Sequence, residues 1–272
     1  MSTISNYRAP LVSVEWLKSH INSDELVVLD ATINKVIDTS SERIPNARFF
    51  DIKKNFSDVN ARFPSTIPDV NQFQIEARKL GVNNDSVIVV YDDKGIYSSA
   101  RAWWLFKTFG FDNVAVIDGG LPEWKNNGFN IVSYSSEVYP QGNFEATSPK
   151  SLITDFNGIG EFSRDANALI LDARSEARFN CLVDEPREGL RRGTIPNSKN
   201  LPYTTLFNGH KLKSKTELSK IFNNLVEEER ILVFSCGSGI TACILALAAT
   251  LCDFKNLVVY DGSWTEYGTL TE

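Results

Sequence analysis

Short, unbroken apolar runs that end in an acid or run into a glycine-containing loop set the rhythm of this chain. Leu26-Val27-Val28-Leu29-Asp30, Ile88-Val89-Val90-Tyr91-Asp92, Leu169-Ile170-Leu171-Asp172 and Ile231-Leu232-Val233-Phe234 are of strand length and rich in β-branched or aromatic residues. With no polar alternation, they read as strands buried on both faces. Helix-length stretches lie between them. Ser13 is placed to cap a helix through His20, another spans Ser98 to Phe109, and Ala242 to Leu251 is nearly all apolar, as in a buried helix. Strands that alternate with helices predict an α/β fold, a mainly parallel sheet covered by helices on both faces.

The pattern occurs twice. Leu169–Asp172 repeats Leu26–Asp30 142 residues later, and Cys236, which follows Leu232-Val233-Phe234-Ser235, stands 144 after Asp92. Asp261-Gly262-Ser263 follows Asp118-Gly119-Gly120 at 143, and Ile195-Pro196-Asn197 follows Ile44-Pro45-Asn46 at 151. Offsets clustered this closely indicate a tandem duplication. The polar stretch from Ser133 to Lys150, with Pro and Gly, is the expected linker, giving domains at 1–132 and 151–272.

The stretch from Ile231 to Cys252 reads as strand, tight loop and helix, and its loop is Cys236-Gly237-Ser238-Gly239-Ile240-Thr241. Two glycines let the backbone fold closely and turn N–H groups inward, while Thr241 is positioned to cap the helix. Such a loop is an anion nest, and a thiol in it ionises more readily than a free cysteine. Cys236 is therefore the candidate nucleophile. Its counterpart in the first copy is Asp92, which cannot take up sulfur, so the N-terminal domain is expected to be non-catalytic. Cys243 and Cys252 read as core residues and Cys181 as a spectator. On the Ser98–Phe109 segment, Arg101 and the pair Trp103-Trp104 are most simply packing residues, with Tyr97 and Arg101 as possible neighbours of the active site.

The loop CGSGITAC resembles the active-site loop of the 3-mercaptopyruvate sulfurtransferases, rhodanese-like enzymes whose cysteine carries sulfur as a persulfide. In thiosulfate-specific rhodaneses the two residues after the cysteine are usually basic; here they are Gly237 and Ser238. The resemblance covers nearly the whole chain and implies two rhodanese-like domains. The nine-residue gain between the 142 and 151 offsets falls near Ala177 to Arg192 (ARFNCLVDEPREGLRR). There the resemblance implies that Arg178 and Arg187 bind the carboxylate and ketone of the donor, a task suited to a permanently charged fork. Arg191-Arg192 reads as a solvated face. Relatives often place a His and an Asp near the loop serine; Lys53 and Ser65 stand at those positions here, leaving Ser238 as what remains of the relay. The usual Gly-His-Ile-Pro-Gly turns have become Arg43-Ile44-Pro45-Asn46 and Thr194-Ile195-Pro196-Asn197.

With 272 residues, 42% hydrophobic and 23% charged, the composition is that of a globular protein with ample core. A net charge of −6 argues against nucleic acid or an anionic membrane as partner. The first residues, MSTISNYRAP, have no apolar signal region, and no apolar run approaches the ~18 residues of a membrane span, so a cytoplasmic protein is expected. The four cysteines lack a disulfide framework, and with only His20 and His210 a zinc site is not expected. The resemblance calls for no cofactor and no metal; its implied partners are a small sulfur donor and a thiol, thioredoxin or cyanide acceptor. A thiosulfate rhodanese and a non-catalytic sulfur-binding protein remain as alternatives. A cysteine phosphatase does not, because it needs an arginine six residues after the cysteine, where this chain has Ala242.

Overall fold

The computed structural model describes residues 9–38, 40–134, 137–149, 151–226 and 230–272. The chain divides into two compact units: Met1–Asp58 with Ile67–Lys150 and Gly209–Lys211, and Val59–Thr66 with Ser151–Asn208 and Leu212–Glu272.

The first unit runs β1 (Leu11–Val12), α1 (Val14–His20), β2 (Leu26–Asp30), β3 (Glu42–Arg43), β4 (Arg48–Phe49), α2 (Val70–Lys79), β5 (Val87–Tyr91), α3 (Ser99–Thr108), β6 (Val114–Ile117), α4 (Gly120–Asn126) and β7 (Val132–Ser133). Its five-stranded sheet has the order β1-β6-β5-β2-β4, with every neighbour parallel. The second unit runs β8 (Ile153–Thr154), α5 (Phe156–Phe162), β9 (Ala168–Asp172), α6 (Glu176–Phe179), β10 (Ser198–Asn200), β11 (Phe207–Asn208), α7 (Lys215–Asn223), β13 (Ile231–Ser235), α8 (Ala242–Leu251), β14 (Leu257–Tyr260) and α9 (Ser263–Leu270), with β12 (Lys211–Leu212), the partner of β11, at the point where the chain returns from Gly209–Lys211. Its sheet, β8-β14-β13-β9-β10, is again parallel throughout. Strand for strand this is the order of the first sheet, as duplication requires.

The central strands are apolar along their whole length because both faces are covered. All five residues of β2 and of β5 are buried, and α3 and α8 pack on the strands of their own units. Ser13 caps α1 by accepting the Trp16 N–H at 3.2 Å. Cys243 is fully buried within α8, as expected. Cys252 is not in the core: it is the C-cap of α8 and only half-buried. Ser135, Ser136 and Lys150 of the expected linker lie outside the described residues. Much of the remainder packs on the first unit. Ser133 ends β7, which pairs with β3, and Tyr134 donates to Asp30 Oδ2 at 2.7 Å. Phe144 is buried against Phe73, Phe106 and Phe111. Its polar composition conceals two aromatic anchors, and area buried by single aromatic rings leaves no periodicity to read.

At the carboxyl end of β5 the first unit shows what its loop does with a negative group. Asp92 is fully buried. Its Oδ2 accepts the N–H groups of Tyr97, Ser98 and Ser99 at 2.7, 3.0 and 2.9 Å and the Ser99 hydroxyl at 2.7 Å, while Oδ1 accepts the Lys94 N–H at 2.9 Å. Several donors converge on one carboxylate, so its charge is held without a cationic side chain among these bonds. Replacing Asp92 with Asn sets an amide N–H₂ against donors that need an acceptor. We expect Asp92→Asn to lower stability by about 1–3 kcal/mol, read as a lower denaturant midpoint in urea.

Candidate active site

The loop between β13 and α8 begins where the Ser235–Asp172 register pair ends the parallel ladder of β13 and β9. Cys236 follows directly and is 1% exposed. Gly239 has φ of +76°, a conformation that would strain any side chain there. Gly237 and Ser238 are half-buried, and Ile240 is buried. Thr241 holds the N-cap position of α8 but makes no side-chain cap bond, and its backbone is already helical. The expected cap is thus replaced by tight turns, in which Cys243 N–H donates to Ile240 O at 3.2 Å and Ile244 N–H to Thr241 O at 3.1 Å.

The first residues of α9 hold this loop. Trp264 N–H donates to Cys236 O, and Thr265 donates to Gly237 O through its N–H and its hydroxyl, at 2.9, 2.9 and 2.6 Å. With those carbonyls tied to α9, the Cys236 and Gly239 N–H groups turn to one acceptor, the hydroxyl oxygen of Ser263, at 3.0 and 3.1 Å. Ser263 is itself completely buried, has φ of +49°, and sets its hydroxyl 2.9 Å from Tyr260 O and 3.8 Å from Cys236 Sγ. The tandem repeat draws attention to positions 261–263, but nothing in the sequence shows that this serine reaches into the loop.

Arg178 approaches from the other side. It lies on the single-turn helix α6, which Ser175 caps, and a Cβ built on Gly237 would stand 3.1 Å from its Nη2. A side chain at 237 would therefore crowd the guanidinium by a few tenths of an ångström. Its Nη2 is paired with Glu185 Oε2 at 2.5 Å. Glu185 Oε1 also accepts from Arg174 Nη1 at 2.7 Å, and Arg174 makes a forked pair with Asp172 through Nε and Nη2, each bond to Oδ2 being 2.9 Å or shorter. Burial raises the Asp172 carboxyl above the usual carboxylate range, with the Arg174 bonds only partly offsetting it. Burial also opposes the charge of Arg174, but its two carboxylate partners outweigh that and raise its pKa further. The Arg174 guanidinium stacks on Trp264 at 4.8 Å, with Arg191 4.9 Å from the same ring.

Arg187 stands exposed in a turn closed by its own carbonyl and the Leu190 N–H. Arg191 is not the solvated residue expected, since it also bonds Thr271, whereas Arg192 is exposed and pairs with Asp184. Cys181 is exposed, at φ of +60°. Tyr97 and Arg101 belong to the first unit, Tyr97 half-buried beside Asp92 and Arg101 buried in α3. Of the two relay positions, Lys53 lies in the first unit, while Ser65, buried at φ of +63°, falls in the segment Val59–Thr66 that groups with the second.

Residues 13–127 and 160–269 each match the family described as Rhodanese-like domain. The fold and the two loops therefore belong to a tandem pair of rhodanese-like domains. The 3-mercaptopyruvate sulfurtransferase of Escherichia coli (strain K12) is 37% identical over 266 residues, 94% of each chain. Thiosulfate/3-mercaptopyruvate sulfurtransferase 1, mitochondrial, of Arabidopsis thaliana is 34% identical over 289 residues, covering 96% of this chain and 76% of that one. The crystal structure of SseA from Escherichia coli, a 3-mercaptopyruvate sulfurtransferase with the rhodanese fold, superposes with a TM-score of 0.82 at 33% identity, over 94% of this chain and 99% of that one. This chain belongs to the 3-mercaptopyruvate sulfurtransferase family, and it is an enzyme of the transferase class.

The Ser263 contacts carry a stability consequence. Ser263→Ala leaves two buried loop N–H groups without their acceptor and keeps the strained φ, so it is expected to cost about 1–3 kcal/mol. Ser263→Gly loses the same acceptor but adopts that φ freely, and should cost less; urea unfolding of the two variants side by side measures the difference.

Proposed function

We propose that this enzyme moves the sulfur of 3-mercaptopyruvate through a persulfide on Cys236 to a thiol, thioredoxin or cyanide acceptor, releasing pyruvate. The observation that carries this reading is the Arg178 guanidinium lying against Gly237, beside the buried cysteine. A cation there offers two parallel bonds to a donor carboxylate within reach of the nucleophile.

In the first half-reaction the Cys236 thiolate attacks the donor sulfur. A sulfur–sulfur bond forms, the carbon–sulfur bond breaks, and its electron pair leaves as the enolate of pyruvate, which takes up a proton. Ser238, half-buried on the same loop, or water supplies that proton. Arg178 binds the carboxylate, and Arg187 assists at the ketone. In the second half-reaction an acceptor thiolate or cyanide attacks the outer sulfur and the Cys236 thiolate leaves. No cofactor or metal takes part.

The first unit supports this chemistry by analogy. A persulfide and an aspartate each place a charged atom two bonds beyond Cβ. In the loop of the first unit the Asp92 carboxylate occupies that place and gathers the N–H groups of residues 94, 97, 98 and 99. The second unit, with Ser238, Thr241, Ala242 and Cys243 at the matching sequence positions, would receive an outer sulfur anion in the same manner. On this reading the first unit is non-catalytic, its nest permanently filled. Tyr97 and Arg101 then serve that unit's own loop and core.

Thiosulfate is the rival donor, favoured by the Arabidopsis relative whose name carries both substrates. Among the described residues no helix is long and apolar enough to cross a membrane, and none of the four cysteines forms a disulfide, which fits a reducing, cytoplasmic setting.

Intact mass after brief exposure to either donor tests the reading. Wild type should gain about one sulfur, on the order of 32 Da, faster with mercaptopyruvate and with stoichiometric pyruvate release, and Cys236→Ser should gain none. Faster loading from thiosulfate would reassign the donor. No loading from either would leave a sulfur-binding protein.

A further inference from the structure

Residues 181–184 and 186–189 are exposed, yet Glu185 between them is buried, its side chain 1% exposed. A buried carboxylate in an otherwise solvated loop carries a desolvation cost and needs a reason to be inside. Both of its oxygens are committed: Oε1 accepts from Arg174 Nη1 at 2.7 Å, and Oε2 from Arg178 Nη2. Arg174 is fixed in turn by Asp172 at the end of β9 and by the Gly193 carbonyl at 2.9 Å. The charges therefore alternate from the sheet outward: Asp172, Arg174, Glu185, Arg178. The last of them is the group that meets the loop, with Nη2 at 3.1 Å and Nη1 at 3.8 Å from where a Cβ on Gly237 would lie.

We propose that Glu185 is the positioning residue for donor recognition, transmitting the rigidity of β9 through Arg174 to the guanidinium of Arg178. The proposal rests on the donor reading above. An unrestrained arginine on a four-residue helix would sample many rotamers, and ordering it when the donor arrives would weaken binding. Glu185 removes that cost by holding one terminal nitrogen in place. Arg174 neutralises the carboxylate from its other side, so Glu185 does not repel an arriving anion as an unpaired charge would. A donor whose anionic oxygens do not match the held guanidinium as a carboxylate does gains less from this arrangement.

The proposal separates Glu185 from a merely structural residue because its effect passes through Arg178. The experiment measures pyruvate affinity by calorimetric titration, together with KM and kcat for mercaptopyruvate and for thiosulfate, in wild type, Glu185→Gln, Arg178→Lys and the double variant. Expected for Glu185→Gln are a loss of pyruvate affinity and a rise in mercaptopyruvate KM of about tenfold each, with kcat and the thiosulfate reaction changed less than about twofold. In the Arg178→Lys background the same change should have almost no further effect. Equal damage to both donors, an unchanged pyruvate affinity, or full additivity with Arg178→Lys would overturn the proposal. Glu185→Asp keeps the charge and covers the case where the glutamine variant does not fold; an unaltered pyruvate affinity in that shortened side chain, with Arg174 and Arg178 one methylene farther away, would equally count against it. If wild type binds pyruvate but is never loaded by mercaptopyruvate, the donor reading fails, while the titration still decides whether Glu185 acts on Arg178.

Discussion

A buried turn whose backbone N–H groups converge must hold an acceptor, because unpaired amides out of water cost more than most folds can offset. Both units of this protein meet that constraint at the same place, the loop after the third strand of the ladder, and they meet it differently. In the first unit the Asp92 carboxylate is the permanent occupant. In the second, the Ser263 hydroxyl accepts from two of the loop amides, and the side chain at the Asp92 position is a thiol. The first loop is complete as it stands. The second leaves a buried thiol at that place.

Much of the second unit serves to keep that loop in shape. The start of α9 takes the loop carbonyls through Trp264 and Thr265, and Trp264 in turn carries Arg174 on its ring face. Arg174 joins the sheet to Glu185, and Glu185 to Arg178. Backbone clamp and charge ladder thus share one tryptophan, so Cys236 and Arg178 are referred to the same frame. The first unit has an acid at the position of Asp172, Asp30, but answers it with Lys35 and Tyr134.

Gly237 shows how a missing side chain can make room for a cation. A Cβ there would press on the Arg178 guanidinium, so a bulky or basic residue would displace or repel it. The glycine and the arginine are complementary, and neither explains the other until both are seen in three dimensions.

The α/β class, the duplication, the buried strands and the position of Cys236 were all legible in the sequence, because each depends on local periodicity or on glycine chemistry that repeats at a near-constant offset. Arg178 could be named from its resemblance to a family pattern. Glu185, Arg174 and Ser263 could not, since their surroundings come from neighbours such as Arg178 to Glu185, 7 positions apart, and Cys236 to Ser263, 27 apart, brought together by the fold. The polar stretch after Ser133 read as a linker because its anchors are the single rings of Tyr134 and Phe144, and Thr241 read as a cap because composition does not reveal that its backbone is already helical. The sequence by itself determined which elements form and which cysteine opens the glycine loop; only the tertiary structure decided which charges surround it, because pairing of buried charges is set by distances that local order does not encode.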